Sequence, residues 1–307
     1  MSQASIIETA RKNQKKNKRL RAKRCIPLYL MALPGMIYLL INNYIPMAGI
    51  VLAFKRINWR KGIFGSDWVG FSNFEYLFKT KDAFVITRNT ILYNVAFIVL
   101  GTVMAIAVAI LLNEVLSQRA KKFYQTVYLL PYLISIVVVS YLVYAMLSVD
   151  SGFINNTILK MLGKEPVTWY TIPKYWPFIL VIVYLWKTFG YNCILYYATL
   201  VGIDVSYYEA ARIDGASRWQ QVRYVTLPFL TPTIITLTLL AIGKIFYSDF
   251  GLFYQVPMGS GPLLDVTNTI DTYVYRALIK LNDYGMSSAA GVYQSLVGFV
   301  LVMLANW

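Results

Sequence analysis

Histidine is absent from this sequence of 307 residues, and cysteine occurs twice. Without an imidazole there is no Ser-His-Asp triad, no histidine base and no histidine metal site. Cys25 and Cys193 lie too far apart for a metal-ligand spacing, and two thiols indicate no disulfide framework. Charge is also scarce. Charged residues make up 14% and apolar ones 58% of the chain, where a soluble domain has about 25% and about 45–50%. With a mean hydropathy of +0.53, an ordinary soluble protein is excluded. The charge present is one-sided, with 29 Lys and Arg against 14 Asp and Glu, a net +15. Nucleic-acid binders share such a balance but not this hydrophobicity. A membrane protein with basic inner loops satisfies both.

Long stretches lack charge altogether. No Asp, Glu, Lys or Arg occurs in Cys25–Phe54, Asn89–Asn113, Phe123–Val149 or Tyr284–Trp307. Each exceeds the roughly 20 residues that cross a bilayer as a helix. Tyr175–Ile203 qualifies with one exception, Lys187, and Tyr224–Phe250 with two, Lys244 and Asp249. The sequence thus predicts an all-α integral membrane protein. Its six spans fall near residues 26–54, 89–113, 123–149, 175–203, 224–250 and 284–307. They form one membrane domain, 26–307, after a basic cytoplasmic tail, 1–25. The run Arg11–Arg24 is too long and too basic for a signal-peptide n-region, and no cleavage site follows Pro34. Its charge either sets topology or binds anionic membrane lipid.

Inner segments 1–25, 113–122 and 204–223 hold 15 Lys/Arg and 5 acids; the longer outer segments hold 12 and 8. The bias predicts both termini inside. The basic outer loop 55–88 carries Trp59, Trp68, Phe71, Phe74 and Tyr76, which suggest a folded segment or one packed at the lipid interface. Nothing matches G-x-x-x-x-G-K-[ST], so any ATP chemistry belongs to another chain.

The inner loop 204–228 has a clear local grammar. Ser206 and Glu209 form S-x-x-E, a capping-box pattern that predicts a helix Tyr207–Ile213. Gly215 suits the left-handed conformation that ends a helix. Ser217 and Gln220 repeat the pattern and predict a second helix, Arg218–Val225, running into the fifth span. Pro228 or Pro232 fits that span's first turn.

In this loop Glu209-Ala210-Ala211, Gly215 and Val225-Thr226-Leu227-Pro228 resemble the EAA loop of binding-protein-dependent ABC importer permeases. That pattern is EAA, three residues, Gly, nine residues, Ile, any residue, Leu-Pro; only Val225 departs. The resemblance extends along nearly the whole chain, through Pro27-Leu28-Tyr29 with Leu33-Pro34-Gly35, Asn89-Thr90, Leu111–Glu114, Tyr128–Pro131 and Asp271–Arg276. It is similar to the maltose-type carbohydrate permeases, above all the branch in Gram-positive bacteria that works with a lipid-anchored binding protein. The stretch Phe250–Pro262 is unlike the usual loop. Relatives also add a short basic tail beyond the position of Trp307, which implies that the sequence ends short of one.

The resemblance implies a type I ABC importer permease fold in the bacterial cytoplasmic membrane. It implies a second homologous permease across a pseudo-twofold axis, two ABC ATPase subunits beneath, and an external sugar-binding protein. ATP and Mg would be used by the ATPases, with no cofactor bound here and no nucleic-acid partner. The coupling residues would be Glu209, Ala210, Ala211, Asp214, Gly215, Leu227 and Pro228. Each also has a plainer reading: Glu209 as a cap, the alanines as helix formers, Asp214 as support for the turn. Arg212, Arg218 and Arg223 either touch the partner or only satisfy topology.

Ionisable residues inside spans usually face a cavity or a partner. Lys187 is a candidate sugar contact or a structural partner of Asp249. Tyr191, Asn192, Tyr196, Tyr197 and Tyr247 are candidate lining of a sugar path, since aromatic rings pair an apolar face with a polar tip; core packing and an interfacial aromatic belt are the alternatives. A secondary transporter or channel is the first rival, although the inverted repeats expected of it are not seen. A permease for a non-sugar solute is the second. The absence of histidine speaks against a membrane enzyme.

Overall fold

A computed structural model describes residues 25–305 and shows a helical protein of two units, up to Val51 and from Leu52 onward. Apart from Cys25, the expected basic tail lies outside the described residues.

The described residues of the first unit form one helix, α1, which runs as Cys25–Phe54 past the unit's end. It is apolar all round, as a bilayer solvent requires. Its turn widens to a π-turn at Leu40–Tyr44, two residues ahead of Pro46. The proline has no N–H for the Asn42 carbonyl and its ring crowds that oxygen; a wider turn relieves both.

In the second unit the aromatic-rich loop is folded. Lys55–Arg56 (β1) and Asp67–Trp68 (β2) pair antiparallel, Lys55 opposite Trp68. Phe54 stacks on Trp68 at 5.7 Å and meets Phe71 edge-on. Helix α2, Ser72–Lys79, follows, and Asn73 donates from it to the Ala53 and Lys55 carbonyls.

Helix α3, Lys81–Glu114, contains the predicted second span but starts eight residues earlier. Lys81, Asp82 and Arg88 hid that start from a search for uncharged runs. Helix α6, Trp176–Val201, is the fourth span. The two pack through small residues, Ala105 and Ala109 burying against Cys193, Tyr196 and Leu200. Small side chains let transmembrane helices approach closely, where association depends on packing rather than hydrophobic burial.

The third expected span, 123–149, is not one straight helix. It is α4, Gln118–Leu133, and α5, Ile136–Leu147, bent by 92° at the break. Pro131 lacks the N–H that would bond Val127, and Ser135 restarts the chain by accepting from the Val137 N–H. The fifth span is also corrected. Helix α8 runs Arg218–Ile242 and ends at Gly243, so 243–249 is a break and not the last two turns of a span. Lys244 and Asp249 therefore lie in that break. Within α8 a π-turn, Val222–Thr226, precedes Pro228 by two residues, as in α1. The sixth expected span corresponds to α11, Tyr284–Ala305.

Between α8 and α11 the chain returns as short helices, α9 (Phe250–Gln255) and α10 (Ile270–Tyr275). Buried polar groups fasten this stretch to the bundle. Asn89 donates to the Asp265 and Asn268 carbonyls, and Thr90 accepts from the Ile270 N–H. Asp271 accepts from the Ser248 N–H and hydroxyl and from Gln294. Arg276 donates to Asn268. Asn89-Thr90 and Asp271–Arg276, two of the stretches that carried the resemblance, thus meet in one polar cluster. Buried polar groups need such partners, which makes these identities structurally demanding.

Candidate functional site

Ahead of the fifth expected span the chain forms an elbow of two helices, the second being the opening turns of α8. The first, α7, is Val205–Ile213. Its cap is not the predicted Ser206–Glu209 box. Asp204 is the N-cap, and its Oδ1 accepts from the Ser206 N–H at 2.9 Å. The helix therefore starts two residues earlier than the S-x-x-E reading placed it. The Ser206 backbone N–H beside Asp204 holds its carboxyl below the usual carboxylate range. Released from capping, Glu209 is exposed and makes no ion pair among the described residues. Ala210 is exposed beside it and Ala211 half-buried. The carboxylate of Glu209 and the small side chain of Ala210 are thus both open to a partner.

The turn follows the expected chemistry. Gly215 has φ +76°, a left-handed conformation costly for any residue with a Cβ, although no atom stands within 4 Å of where one would be. Asp214, exposed, ends α7 through its N–H to the Ala210 carbonyl. The second box is present in full: Ser217 N–H to Gln220 at 2.7 Å, and Gln220 N–H to Ser217 at 3.4 Å. From Arg218 the chain is helical without interruption into α8, which places half-buried Leu227 and exposed Pro228 just past the π-turn.

Four contacts stiffen the elbow. Tyr208 shares a hydrogen bond of 3.0 Å with Thr226, and the Tyr207 ring lies 4.9 Å from Phe229. Gln221 donates to the Ala216 carbonyl. Arg218 pairs with Glu114, the last residue of α3, at 3.0 Å. The elbow is thus joined to α8 by chain continuity and to α3 by charge. The sequence reading missed Asp204, Tyr208 and the Arg218–Glu114 pair. Only the first had a local signal, an Asp placed as an N-cap just outside the helix.

The in-membrane candidates fall into separate places. Asn192 and Tyr196 line a cavity of about 180 Å³ between α3, α6 and α8, with Thr102, Tyr184 and Leu237. Phe97 stacks on Tyr184 at 3.8 Å and closes one side. Among the described residues the Asn192 amide has no partner, so it can donate to or accept from a guest. Tyr191 stacks on Tyr132 at 4.6 Å. Tyr197 packs with the small-residue seam, under the Lys121 ammonium. Exposed Tyr247 accepts from Asn94 through its carbonyl. Asp249 caps α9 through the Leu252 N–H.

Lys187 does not pair with Asp249. Its ammonium donates to the carbonyls of Ile134 at 2.5 Å, Tyr132 at 3.2 Å and Pro131 at 3.4 Å. These carbonyls lie at the end of α4 and in the break that follows, where the regular helical ladder stops; that of Pro131 also accepts from the Ile134 N–H. One turn along α6, Gly190 lets the α4 backbone come so close that a Cβ would stand 1.8 Å from the Tyr128 oxygen. Lys187 and Gly190 together hold the bent helix against α6.

Helices long enough to cross a membrane, a bent span braced inside the bundle and an exposed elbow define a multi-span transport protein of permease type. Residues 97–307 match the family of binding-protein-dependent transport system inner membrane components. The chain is 36% identical to the polygalacturonan/rhamnogalacturonan transport system permease protein YteP of Bacillus subtilis, over 99% of this chain and 95% of that one. It is similar to a chain of a bacterial ABC transporter involved in the import of the acidic polysaccharide alginate, with TM-score 0.86 and 33% identity over 94% and 97% of the two chains. A second structure of an alginate transporter, in complex with a periplasmic protein bound to an alginate pentasaccharide, gives TM-score 0.83 at 33% identity over 92% and 94%. The chain belongs to the binding-protein-dependent transport system inner membrane component family. It is a permease of the cytoplasmic membrane and a non-catalytic subunit.

Proposed function

We propose that this chain forms one half of the membrane path of an ATP-driven oligosaccharide importer. Its six spans run with both termini inside, the bent α4–α5 pair counting as one. A second homologous permease completes the path, and an extracellular lipid-anchored binding protein delivers the sugar. Two ABC ATPase subunits hold the elbows of the two permeases and supply ATP and Mg. The cargo class is supported by the relatives' names, which concern oligomers of sugars.

The observation that carries the coupling role is the elbow itself. It exposes Glu209 and Ala210, with Ala211 half-buried beside them, turns at Gly215 and continues as helix along α8. ATP-driven closure of the ATPase pair would draw two such elbows together and turn the path outward, a two-state change imposed at one site and realised at another. Within the membrane, Asn192 and Tyr196 are the proposed sugar contacts, and Lys187 is a positioning residue.

The test is the assembled importer in proteoliposomes with Gly215→Pro and Glu209→Ala combined. Insertion and assembly should persist while ATPase stimulation by the sugar-loaded binding protein falls. Full stimulation would remove the coupling role. Uptake driven by an ion gradient without ATP would favour a secondary transporter.

A further inference from the structure

A second site lies on an exposed side of α3 and α6, away from the elbow and the 180 Å³ cavity. The groove between them measures about 660 Å³. Leu92, Ala96 and Leu100 of α3 and Phe178 and Ile182 of α6 line it, and Leu92, Phe178 and Ile182 are more than half exposed. Arg88 stands at its end farthest from the elbow.

Arg88 is the unusual member. Its Nε and Nη2 donate to Asn89 Oδ1, and Nη2 also donates to the Asp265 carbonyl at 2.9 Å. The guanidinium is thereby fixed in direction, over the Phe84 ring at 5.8 Å. Its Nη1 has no partner among the described residues, and no carboxylate there pairs with it. The other polar groups at this end are occupied: Asn89 holds two carbonyls, and the Tyr93 hydroxyl donates to Val266 at 2.8 Å. A positioned cation with one free face thus heads an otherwise apolar groove.

The dimensions fit one class of occupant. From Arg88 to Leu100 the groove follows twelve residues of helix, or about 18 Å. One leaflet's hydrocarbon is about 15 Å deep, half of the roughly 30 Å core. Guanidinium forks recognise phosphate, and a phospholipid pairs one phosphate with acyl chains of about that depth. We infer that the groove is a binding site for an anionic phospholipid, its phosphate on Arg88 Nη1 and one acyl chain along Leu92, Ala96 and Leu100. The site is independent of the coupling role of the elbow.

The test is native mass spectrometry of the whole importer, titrated with phosphatidylglycerol and, separately, phosphatidylcholine. Arg88→Gln should weaken one phosphatidylglycerol site about tenfold, as loss of a charge-assisted contact predicts, and leave phosphatidylcholine unchanged. Arg88→Lys should retain most of the preference. Ala96→Phe, which fills the groove without touching Asn89, should remove the site for both lipids, and it carries the test if Arg88→Gln does not assemble. Wild-type lipid binding in both Arg88→Gln and Ala96→Phe would overturn the inference. So would a disulfide from Leu92→Cys to a helix of a partner subunit, since protein would then fill the groove.

Discussion

Lys187 of the fourth span places its ammonium 2.5 Å from the Ile134 carbonyl, at the break in the third. A lysine inside a membrane helix invites a reading as a cargo contact, yet here backbone oxygens occupy it. Lys187→Met should destabilise the purified importer by about 1.5–3 kcal/mol, the range for hydrogen bonds to a charged group. Asp249→Asn should leave its melting temperature nearly unchanged, because Asn also serves as an N-cap. An equal loss in both variants would restore the Lys187–Asp249 pair.

Gly190→Ala should be costly. Its Cβ would meet the backbone of Tyr128, which cannot rotate away, so a loss at or above the usual overpacking cost of about 3 kcal/mol is expected. Gly291→Ala on α11 is the control. No atom lies within 4 Å of its Cβ position, and helix propensity there favours Ala by about 1 kcal/mol. Thermal melts of the two variants should therefore move in opposite directions.

The Arg218–Glu114 pair is exposed, with 69% and 52% of the two side chains accessible. Its value for stability is below about 1 kcal/mol. Its position between elbow and α3 gives it more weight in coupling. Glu114→Arg or Arg218→Glu alone should lower sugar-stimulated ATPase with little change in melting temperature, and the double exchange should restore it. Failure of the exchange to rescue would show the pair to be incidental.

Asp204 gives the elbow a pH dependence of definite sign. Its folded carboxyl titrates below its ordinary value because it accepts from the Ser206 N–H. The stabilisation is complete above the ordinary carboxylate range, near pH 4, and is lost as pH falls through the lowered folded value. The protection factors of the amides of 205–209, the intrinsic base-catalysed rates divided by the measured exchange rates, should therefore be constant between pH 6 and 8. Asp204→Ala should speed that exchange at neutral pH, and Asp204→Asn should not.

The sequence revealed what depends on local grammar. The left-handed turn at Gly215 and the Ser217–Gln220 box follow from residue type and spacing, and the structure has both. The S-x-x-E box failed because two caps competed for the Ser206 N–H, and Asp204 accepted it. Charge-free runs located the spans but not their ends, since α3 carries charged residues in its first turns. The bend after α4 was hidden because Pro131 sits in a uniformly apolar run. What stabilises the bend is Lys187, more than 50 residues away. The cavity around Asn192 needed three helices to be brought together, which no periodicity within one of them reports.

The unbroken course of α8 has a mechanical consequence. Over 25 residues it is about 37 Å long, enough to reach from one headgroup region to the other. Its π-turn, Val222–Thr226, lies near its start and Pro232 lies within it, but the helix is continuous as far as Ile242, so a displacement at Arg218 is carried along one element. It arrives at 243–249, where Asn94 grips the Ile245 and Tyr247 carbonyls and Asp271 grips Ser248. The elbow at one end of α8 is thereby tied to the polar cluster at the other.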